Sequence, residues 1–398
     1  MMFDFEKTFS KKPFLDRLEW MDYDTNIFKV PKIYKIATDL IFDYNRLSYS
    51  DFGGIERLNT LIIDYEKKLT GLDLIKEEPF SFVGSGVNNL ISPVLYSILN
   101  FNKNKKEIIV FSPEYPLFIS AAKKVGAKIR VIYSLRENDF LPTFNQIQES
   151  VNENTAAIIF SNPNNPTGKA FSEDWLTKLV ELAKKRNFFI LSDEIYMDYL
   201  YNQDKAIHIA KINNGYHNYV KFFGPSKDRP GMTGIRCGYC IGDKRLLSDI
   251  KEMQMVHNIS NGIISDYLLL IDIAMRYKEK FGILHNDLKY FSKTEIKNYQ
   301  TSIDYNKKLQ RKLNQFIIQK IRKNSHIVDF IIPDGGNSIF FKYYKNLKGN
   351  EFVNEFIKKG LAIYPSEAFM LDREKNGSWG RICATRGRDY IDKMIGKI

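Results

Sequence analysis

Between residues 107 and 241, short apolar runs alternate with helical stretches, and this alternation constrains the fold more than any other feature. The runs are rich in Val, Ile and Phe: EIIVFS, KIRVIYS, AAIIFS, FFILSD, YVKFFG and CGYCIG. Residues 172–186 fit a connecting helix, because Trp175 and Leu179 share one apolar stripe and Ser172 can cap the first turn. The pattern predicts an α/β fold in which helices cover both faces of a mostly parallel sheet.

The pattern changes beyond residue 242. A long polar helix is predicted over residues 292–322, and from residue 328 short strands surround one amphipathic helix. We therefore expect a large domain over residues 49–290 and a smaller α+β domain over residues 291–398. The N-terminal segment, residues 1–48, is expected to contribute to the smaller domain.

Composition narrows the class of protein. The 398 residues, 44% hydrophobic and 27% charged, are typical of a folded globular chain. Apolar runs stay far below the roughly 20 residues of a membrane span, and the opening MMFDFEKTFSKK lacks the apolar core of a secretory signal. We therefore expect a cytoplasmic protein with no membrane partner. The net charge of +12 is spread over amphipathic segments, which favours a solvated surface over a nucleic-acid-binding face.

The cysteines and histidines indicate no metal site. Three cysteines are too few for a disulfide framework. Two of them lie in CGYC, a predicted strand on which positions three apart face opposite sides. The five histidines show no ligand spacing.

Two loops that follow predicted strands carry polar residues. SNPNNPTG, residues 161–168, supplies Asn165, although plain turn chemistry would also explain it. FFILSD ends at Asp193, and Tyr196 follows three residues later. Open α/β sheets bind ligands at the carboxyl ends of parallel strands. A carboxylate there needs a cation such as a protonated pyridine nitrogen, unless it merely caps a helix.

A third strand end delivers a lysine. FFGPSKDRPGMTGIR places Lys227 directly after Ser226, and Arg236 follows nine residues later. A lysine amine condenses with an aldehyde when burial and neighbouring positive charge lower its pKa. Arg236 would neutralise a phosphate group.

Two further turns complete a set of ligand-binding groups. Ser85, Gly86 and Val87 precede an apolar helical stretch, where free N–H groups bind anions, although a simple turn is equally compatible. Tyr115 ends the EIIVFS strand, where its ring could stack on a planar cofactor or join the core. An acid, an amide, a lysine and an anion site are what a phosphorylated pyridine aldehyde requires.

In its order of motifs, NPNNPTG, DEIY, SK and GMTGIR, the chain resembles the class I/II aminotransferases of pyridoxal phosphate (PLP) fold type I over roughly residues 15–395. The resemblance implies a seven-stranded sheet in the large domain and PLP as cofactor. It implies transfer of an amino group from an L-amino acid to a 2-oxo acid, in a homodimer with shared active sites. Lys227 would hold PLP as an aldimine and, with Asp193 and Tyr196, form the catalytic set.

The resemblance also implies how the other site residues act. Asp193 would pair with the pyridine nitrogen, and Asn165 and Tyr196 would bond the phenolic oxygen. Arg381, in WGRICATRG, would bind the substrate carboxylate beside Asn165. Tyr49 would reach the phosphate in the neighbouring subunit. The remaining cofactor contacts would be ring stacking by Tyr115 and phosphate binding by Ser85, Gly86, Val87, Ser226 and Arg236.

Three departures from the family pattern leave the substrate open. The interval from Lys227 to Arg236 is nine rather than the usual eight, which places Arg229 and Pro230 near the phosphate end of the site. Gly224 replaces a common serine. The N-terminal RLEWMDYDTNIFKVP is closest to the histidinol-phosphate aminotransferase branch but lacks its usual Asn-Glu pair.

Alternatives therefore remain. A PLP-dependent lyase, cyclase or amino-acid oxidase would share every cofactor contact, because a fold does not fix its chemistry. A basic binding protein that merely keeps the fold is an alternative of another class. The sequence does not name the amino acid.

Overall fold

The computed structural model describes residues 16–17, 23–44, 46–72, 78–369 and 378–398. A short strand, β1 (Asp16–Arg17), precedes a seven-stranded sheet. The strands of this sheet are β2 (Phe80–Gly84), β3 (Glu107–Ser112), β4 (Lys128–Tyr133), β5 (Thr155–Ser161), β6 (Phe189–Asp193), β7 (Tyr219–Phe223) and β8 (Gly238–Gly242). Their order is β2-β8-β7-β6-β5-β3-β4, and β8 runs in the direction opposite to the other six strands. The predicted mostly parallel sheet of seven strands is confirmed.

The register of the central strands aligns three loops. Ser161 of β5 lies opposite Asp193 of β6, and Asp193 lies opposite Phe222 of β7. Backbone bonds continue past the strands: Asn162 N donates to Asp193 O at 2.9 Å, and Glu194 N donates to Phe222 O at 2.9 Å. Because these strands are parallel, the loops that follow them leave the sheet side by side.

Helices cover both faces of the sheet. In β5, Ile158 and Phe160 join one apolar cluster, whereas Ala157 and Ile159 join another, as the two-residue period of a strand requires. The predicted helix after β5 is present, and Ser172 Oγ accepts a hydrogen bond from Trp175 N at 3.3 Å. The helices of this part are α1 (Ile33–Asp43), α2 (Glu56–Thr70), α3 (Val87–Phe101), α4 (Leu117–Lys124), α5 (Phe144–Ser150), α6 (Glu173–Arg186), α7 (Ile209–Asn213), α8 (Leu247–Asn258) and α9 (Ile263–Phe281).

The C-terminal part forms a second, antiparallel sheet behind a long helix. The elements are α10 (Lys293–Ile321), β9 (Ile327–Phe330), β10 (Ser338–Tyr343), α11 (Asn350–Lys358), β11 (Leu361–Ala362), β12 (Tyr364–Pro365), β13 (Trp379–Cys383) and α12 (Arg388–Ile395). The strand order is β12-β13-β10-β9, so β13 lies inside the sheet. Strand β1 pairs in parallel with β11, which joins the N-terminal segment to this part of the chain. Within the described residues, none of the helices is both long and apolar enough to cross a membrane.

Candidate active site

Lys227 lies in the loop after β7, half-buried among charged groups. Burial lowers the pKa of its amine to about 8; the nearby guanidinium groups of Arg381 and Arg236 lower it too, whereas the Asp193 carboxylate raises it. The loop after β7, the end of β6 and a strand of the second sheet thus meet around one amine. An amine with a lowered pKa is partly unprotonated, and therefore nucleophilic, near neutral pH.

Asp193 ends β6 and is 6% exposed. Burial raises the pKa of this carboxyl to about 7, although a hydrogen bond from Ile195 N to Oδ1, 3.1 Å long, and the charge of Lys227 lower it. A buried carboxylate with so few donors is stabilised by any cation placed beside it. A protonated ring nitrogen would be such a cation.

Arg381 and Asn165 form a contact between the second sheet and the loop after β5 of the large sheet. Arg381 Nη1 donates to Asn165 Oδ1 at 2.7 Å, and both residues are buried. Asn165 N donates in turn to Ser161 Oγ at 2.9 Å, which fixes the SNPNNPTG loop. The guanidinium of Arg381 lies 4.6 Å from the ring centroid of Phe369 and 5.5 Å from that of Tyr364. A planar guanidinium is suited to a carboxylate because it can donate two parallel hydrogen bonds.

The start of α3 packs against Arg236. Gly86 has φ +85°, and a Cβ at this position would lie 2.6 Å from Arg236 Nη2. A side chain on residue 86 would therefore push the guanidinium away from the first N–H groups of the helix. Val87 is the first helical residue, and the preceding Ser85 accepts a hydrogen bond at Oγ from Asn258 Nδ2 at 3.0 Å. Helix dipole, free N–H groups and guanidinium together form an anion site.

Three more predicted residues lie at the same strand ends. Burial raises the pKa of Tyr115 to about 12, as does the charge of Asp193, whereas Arg381 and Arg236 lower it, so the ring lies among these groups. Tyr196 is 5% exposed and packs on Gly336, whose missing Cβ would lie 3.5 Å from the ring. Ser226 adjoins Lys227, and its carbonyl accepts a hydrogen bond from Thr233 Oγ1 at 2.8 Å.

Tyr49 is the one predicted residue that does not join this group. It is 86% exposed. Its loop is nevertheless anchored, because the hydroxyl of Ser50 bonds the carboxylate of Asp266, and Val83 N donates to Gly53 O at 2.7 Å. The anchoring holds the segment that follows Tyr49 against strand β2 and the first turn of α9.

A family model described as aminotransferase class I and II matches residues 20–398. The chain belongs to this family. Members of the family use PLP to move amino groups between amino acids and 2-oxo acids. The family and the cofactor predicted from the motifs are thus confirmed.

Relatives of this aminotransferase have different names. The chain is 28% identical to the aspartate aminotransferase of Thermotoga maritima over 269 residues, which cover 66% of this chain and 62% of that enzyme. It is 23% identical to the LL-diaminopimelate aminotransferase of Maridesulfovibrio salexigens over 380 residues, 95% of this chain and 88% of that enzyme. The structure of the Thermus thermophilus aspartate aminotransferase with maleate matches with a TM-score of 0.82 at 18% identity, over 99% of this chain and 93% of that one. This last likeness shows the fold.

The residues of the site fit PLP. The close approach of Arg236 to Gly86 leaves an anion site that a Cβ would obstruct, as a phosphate group requires. The raised pKa of Asp193 indicates a carboxylate that a pyridinium nitrogen would stabilise. Lys227 would supply the amine for the aldehyde. The donor set therefore matches the three functional ends of the cofactor.

Glu114 lies among these residues, although no pattern in the sequence indicates it. Its buried carboxylate contacts the hydroxyl of Ser161 and accepts hydrogen bonds from Ser161 N at 3.0 Å, Tyr115 N at 2.8 Å and Asn164 Nδ2 at 3.3 Å. Burial raises the pKa of Glu114 to about 8, although these hydrogen bonds lower it. Because Ser161 Oγ also accepts from Asn165 N, one carboxyl group links Tyr115 to Asn165. SPEYPLF contains the residue, but nothing in its spacing indicates a buried acid.

The prediction that Arg229 lies near the phosphate end of the site is wrong. Arg229 is fully buried against α9, where its Nε lies 3.0 Å from Asp272 Oδ1 and its Nη2 lies 3.0 Å from Glu279 Oε2. The guanidinium is also 3.1 Å from the carboxylate of the neighbouring Asp228. The altered lysine interval therefore adds buried ion pairs behind the site.

Other predictions from the sequence concern metals and the N-terminal segment. Over the ranges that the structure describes, no cluster of three or more His, Cys, Asp or Glu side chains could hold a metal ion. Cys237 and Cys240 are buried free thiols. Residues 18–22 of the segment that resembles the histidinol-phosphate branch lie outside the described residues, so that likeness stays a prediction.

Proposed function

We propose that this aminotransferase moves the amino group of an L-amino acid to a 2-oxo acid with PLP held covalently at Lys227. The observation that supports this best is the convergence of Asp193, Arg236 and Arg381 on the Lys227 amine, each close enough to shift its pKa. The Lys227 amine is then surrounded by an acid that would pair with the ring, Asp193, and by two cations. Arg236 would bind the phosphate group, and Arg381 would bind the substrate.

The reaction needs an electron sink and a mobile proton. PLP, when bound, supplies the sink. Asp193 would hold the proton on the ring nitrogen and so keep the ring electron-poor. The Lys227 amine would take the proton from the substrate α-carbon and return it to the carbon that needs it. A lowered pKa suits an amine that must both accept and release a proton near neutral pH.

The other residues bind and orient. Arg381 binds the substrate carboxylate beside Asn165, with which it already shares a hydrogen bond. Asn165 and Tyr196 would bond the phenolic oxygen of the cofactor, and Tyr115 would stack on its ring. The phosphate group would be held by Ser85, Gly86, Val87, Ser226 and Arg236.

Exposed apolar residues beside the anion site support a homodimer. Tyr49 is 86% exposed, Phe52 48%, Val256 80% and Ile259 62%. These two segments flank one strand end, because Val83 N bonds Gly53 O and Asn258 Nδ2 bonds Ser85 Oγ. A self-complementary apolar patch is typical of a two-fold interface. In the proposed dimer, Tyr49 of each subunit reaches the phosphate bound in its partner.

The large domain in this proposal spans residues 49–290, and the small domain spans residues 291–398 with a contribution from residues 1–48. The parallel pairing of β1 with β11 supports the last assignment. We also propose a cytoplasmic location, which the free thiols of Cys237, Cys240 and Cys383 support, because reducing compartments keep cysteines unpaired.

Absorbance spectroscopy with a panel of amino acids tests the function. The purified protein with PLP should show the visible band of a lysine-bound cofactor, lose it with a substrate amino acid, and regain it when a 2-oxo acid is added. If ammonia or peroxide forms without an added 2-oxo acid, the reaction is not transamination, and the lyase or oxidase alternative is supported. A protein that never develops the band would contradict the role of Lys227.

A further inference from the structure

We propose that a two-part clamp fixes the main chain of Lys227 against the turn that carries Asp193 and Tyr196, and so positions its amine for proton transfer. The clamp consists of Arg276 with Asp228 and Asp198, and of Tyr23 with Tyr199. The inference rests on the proposed role of Lys227. It names positioning residues that act through the lysine and not on the substrate.

The first part of the clamp is ionic. Arg276, on α9, is fully buried, and its Nη2 lies 2.8 Å from Oδ1 of Asp228, the residue that follows Lys227. Its Nη1 bonds the carboxylate of Asp198, two residues beyond Tyr196. Its Nε lies 2.7 Å from Asp272 Oδ2 on the same helix. One guanidinium therefore joins the loop after β7 to the turn after β6.

The second part of the clamp is a pair of hydroxyl groups. The hydroxyl of Tyr23 donates to the carbonyl oxygen of Lys227 itself. The same hydroxyl lies 2.8 Å from the hydroxyl of Tyr199, in the turn that follows Tyr196. Both tyrosine side chains are buried. The N-terminal segment thus makes the same connection as Arg276, from a different side of the lysine.

A lysine that repeatedly leaves its cofactor needs such support. Its four-carbon stem is flexible, so after release only the main chain keeps the amine near the α-carbon. A misplacement of about 1 Å can lower a rate about 100-fold. Buried ion pairs resist such movement, because separating them leaves unpaired charges in the interior. The clamp joins Lys227 to the end of the strand that is proposed to bind the ring. The distance between the lysine amine and the substrate α-carbon therefore stays constant.

Three variants of the holoenzyme test the clamp. Asp198→Asn weakens the ionic part and Tyr23→Phe removes the hydroxyl part. Glu279→Gln is the matched control, because Glu279 belongs to the same ionic group, but among the described residues it pairs with Arg229, at 3.0 Å, and not with the turn beyond Tyr196. For each protein we would measure thermal unfolding, the rate at which PLP added to apoenzyme condenses with Lys227, and the α-deuterium isotope effect on a single half-reaction.

We expect Asp198→Asn and Tyr23→Phe to slow both condensation and the half-reaction about tenfold, and to raise the isotope effect because proton transfer becomes the slower step. Glu279→Gln should keep both rates within about twofold. If the two clamp variants keep wild-type rates and isotope effects while only their melting temperatures fall, the residues are merely structural and the proposal is overturned. If Asp198→Asn does not fold, Tyr23→Phe alone decides. Wild-type protein that forms no bond to PLP would instead refute the proposed function.

Discussion

The buried carboxylates of this enzyme differ in how many positively charged and hydrogen-bonding partners they have. Asp272 bonds two arginines and the hydroxyl of Tyr299, and its pKa is lowered because Arg276 and Arg229 outweigh the effect of burial. Burial instead raises the pKa of Asp193 to about 7. Asp272 therefore has the surroundings of a structural ion pair, whereas Asp193 has those of a residue that awaits a cationic ligand.

The first prediction concerns the pH dependence of Asp193 in the apoenzyme. Its folded pKa lies above the ordinary value of 3.8, so folding favours the protonated form, and the stability this provides is lost as the pH rises through about 7. Asp193→Asn mimics the protonated acid at every pH. Without PLP, the unfolding free energy of this variant should therefore rise relative to wild type by about 1 kcal/mol between pH 6 and pH 8. Urea unfolding of both proteins measures it, and a constant difference would contradict it.

The second prediction concerns Lys227. Lys227→Ala should lose at least about a thousandfold in turnover, because both the attachment of PLP and the proton shuttle disappear, while some noncovalent binding of PLP persists. Lys178→Ala, on the surface of α6, is the control and should match wild type. Steady-state assays and the visible absorbance band give the two measurements. A Lys227→Ala enzyme with normal turnover would disprove the assignment.

At the scale of elements, the start of α3 is a helix end shaped around a ligand. Gly86 adopts a left-handed φ of +85° and leaves room for Arg236, which itself has φ +60°. Two unusual backbone conformations thus meet at one anion site. Such strain is typical of functional sites, where the surrounding structure holds it in place.

The third prediction separates the strain at Gly86 from its role in binding. Gly86→Ala places an alanine at a strained φ and puts its methyl group 2.6 Å from Arg236 Nη2. The control is Gly126→Ala, which has a similar φ of +80° but no atom within 4 Å of the added Cβ. Both Ala variants should lose about 1 to 2 kcal/mol of unfolding free energy. Only Gly86→Ala should also weaken PLP binding, about tenfold or more. Equal PLP affinities in a titration would exclude the anion site.

Strands, crossover helices and motif loops followed from local pattern, and for that reason the sequence predicted that the loops after β2, β5, β6 and β7 meet at one end of the sheet. Glu114 and Arg276 could not be predicted. Each acts through contacts with residues distant in sequence, such as Ser161 and Asp228, and neither has a motif. The position of Arg229 was wrongly predicted for the same reason. The longer interval from Lys227 to Arg236 shows that this loop differs from the family pattern, but it does not show on which side of the loop Arg229 lies.

At the scale of the whole molecule, the exposed Tyr49 makes the dimer testable. If Tyr49 completes the site of the partner, Tyr49→Ala and Lys227→Ala subunits should complement each other, because a mixed dimer contains one site with both residues intact. Each variant alone should have little activity, and mixing the two after mild dissociation should restore about a quarter of wild-type activity. The control is each variant mixed with itself. No recovery in confirmed mixed dimers would place Tyr49 outside the shared site.

The pairing of β1 with β11 also affects how the enzyme is made. Strand β1 is synthesised early and its partner β11 late. The N-terminal segment therefore stays unpaired through almost the whole synthesis of the chain. Strands β5, β6 and β7 are synthesised long before Arg381, together with Asn165, Asp193 and Lys227 at or just after their ends. A premature stop codon between residues 227 and 381 therefore yields a chain that has Lys227 but lacks Arg381, the residue proposed to bind the substrate carboxylate.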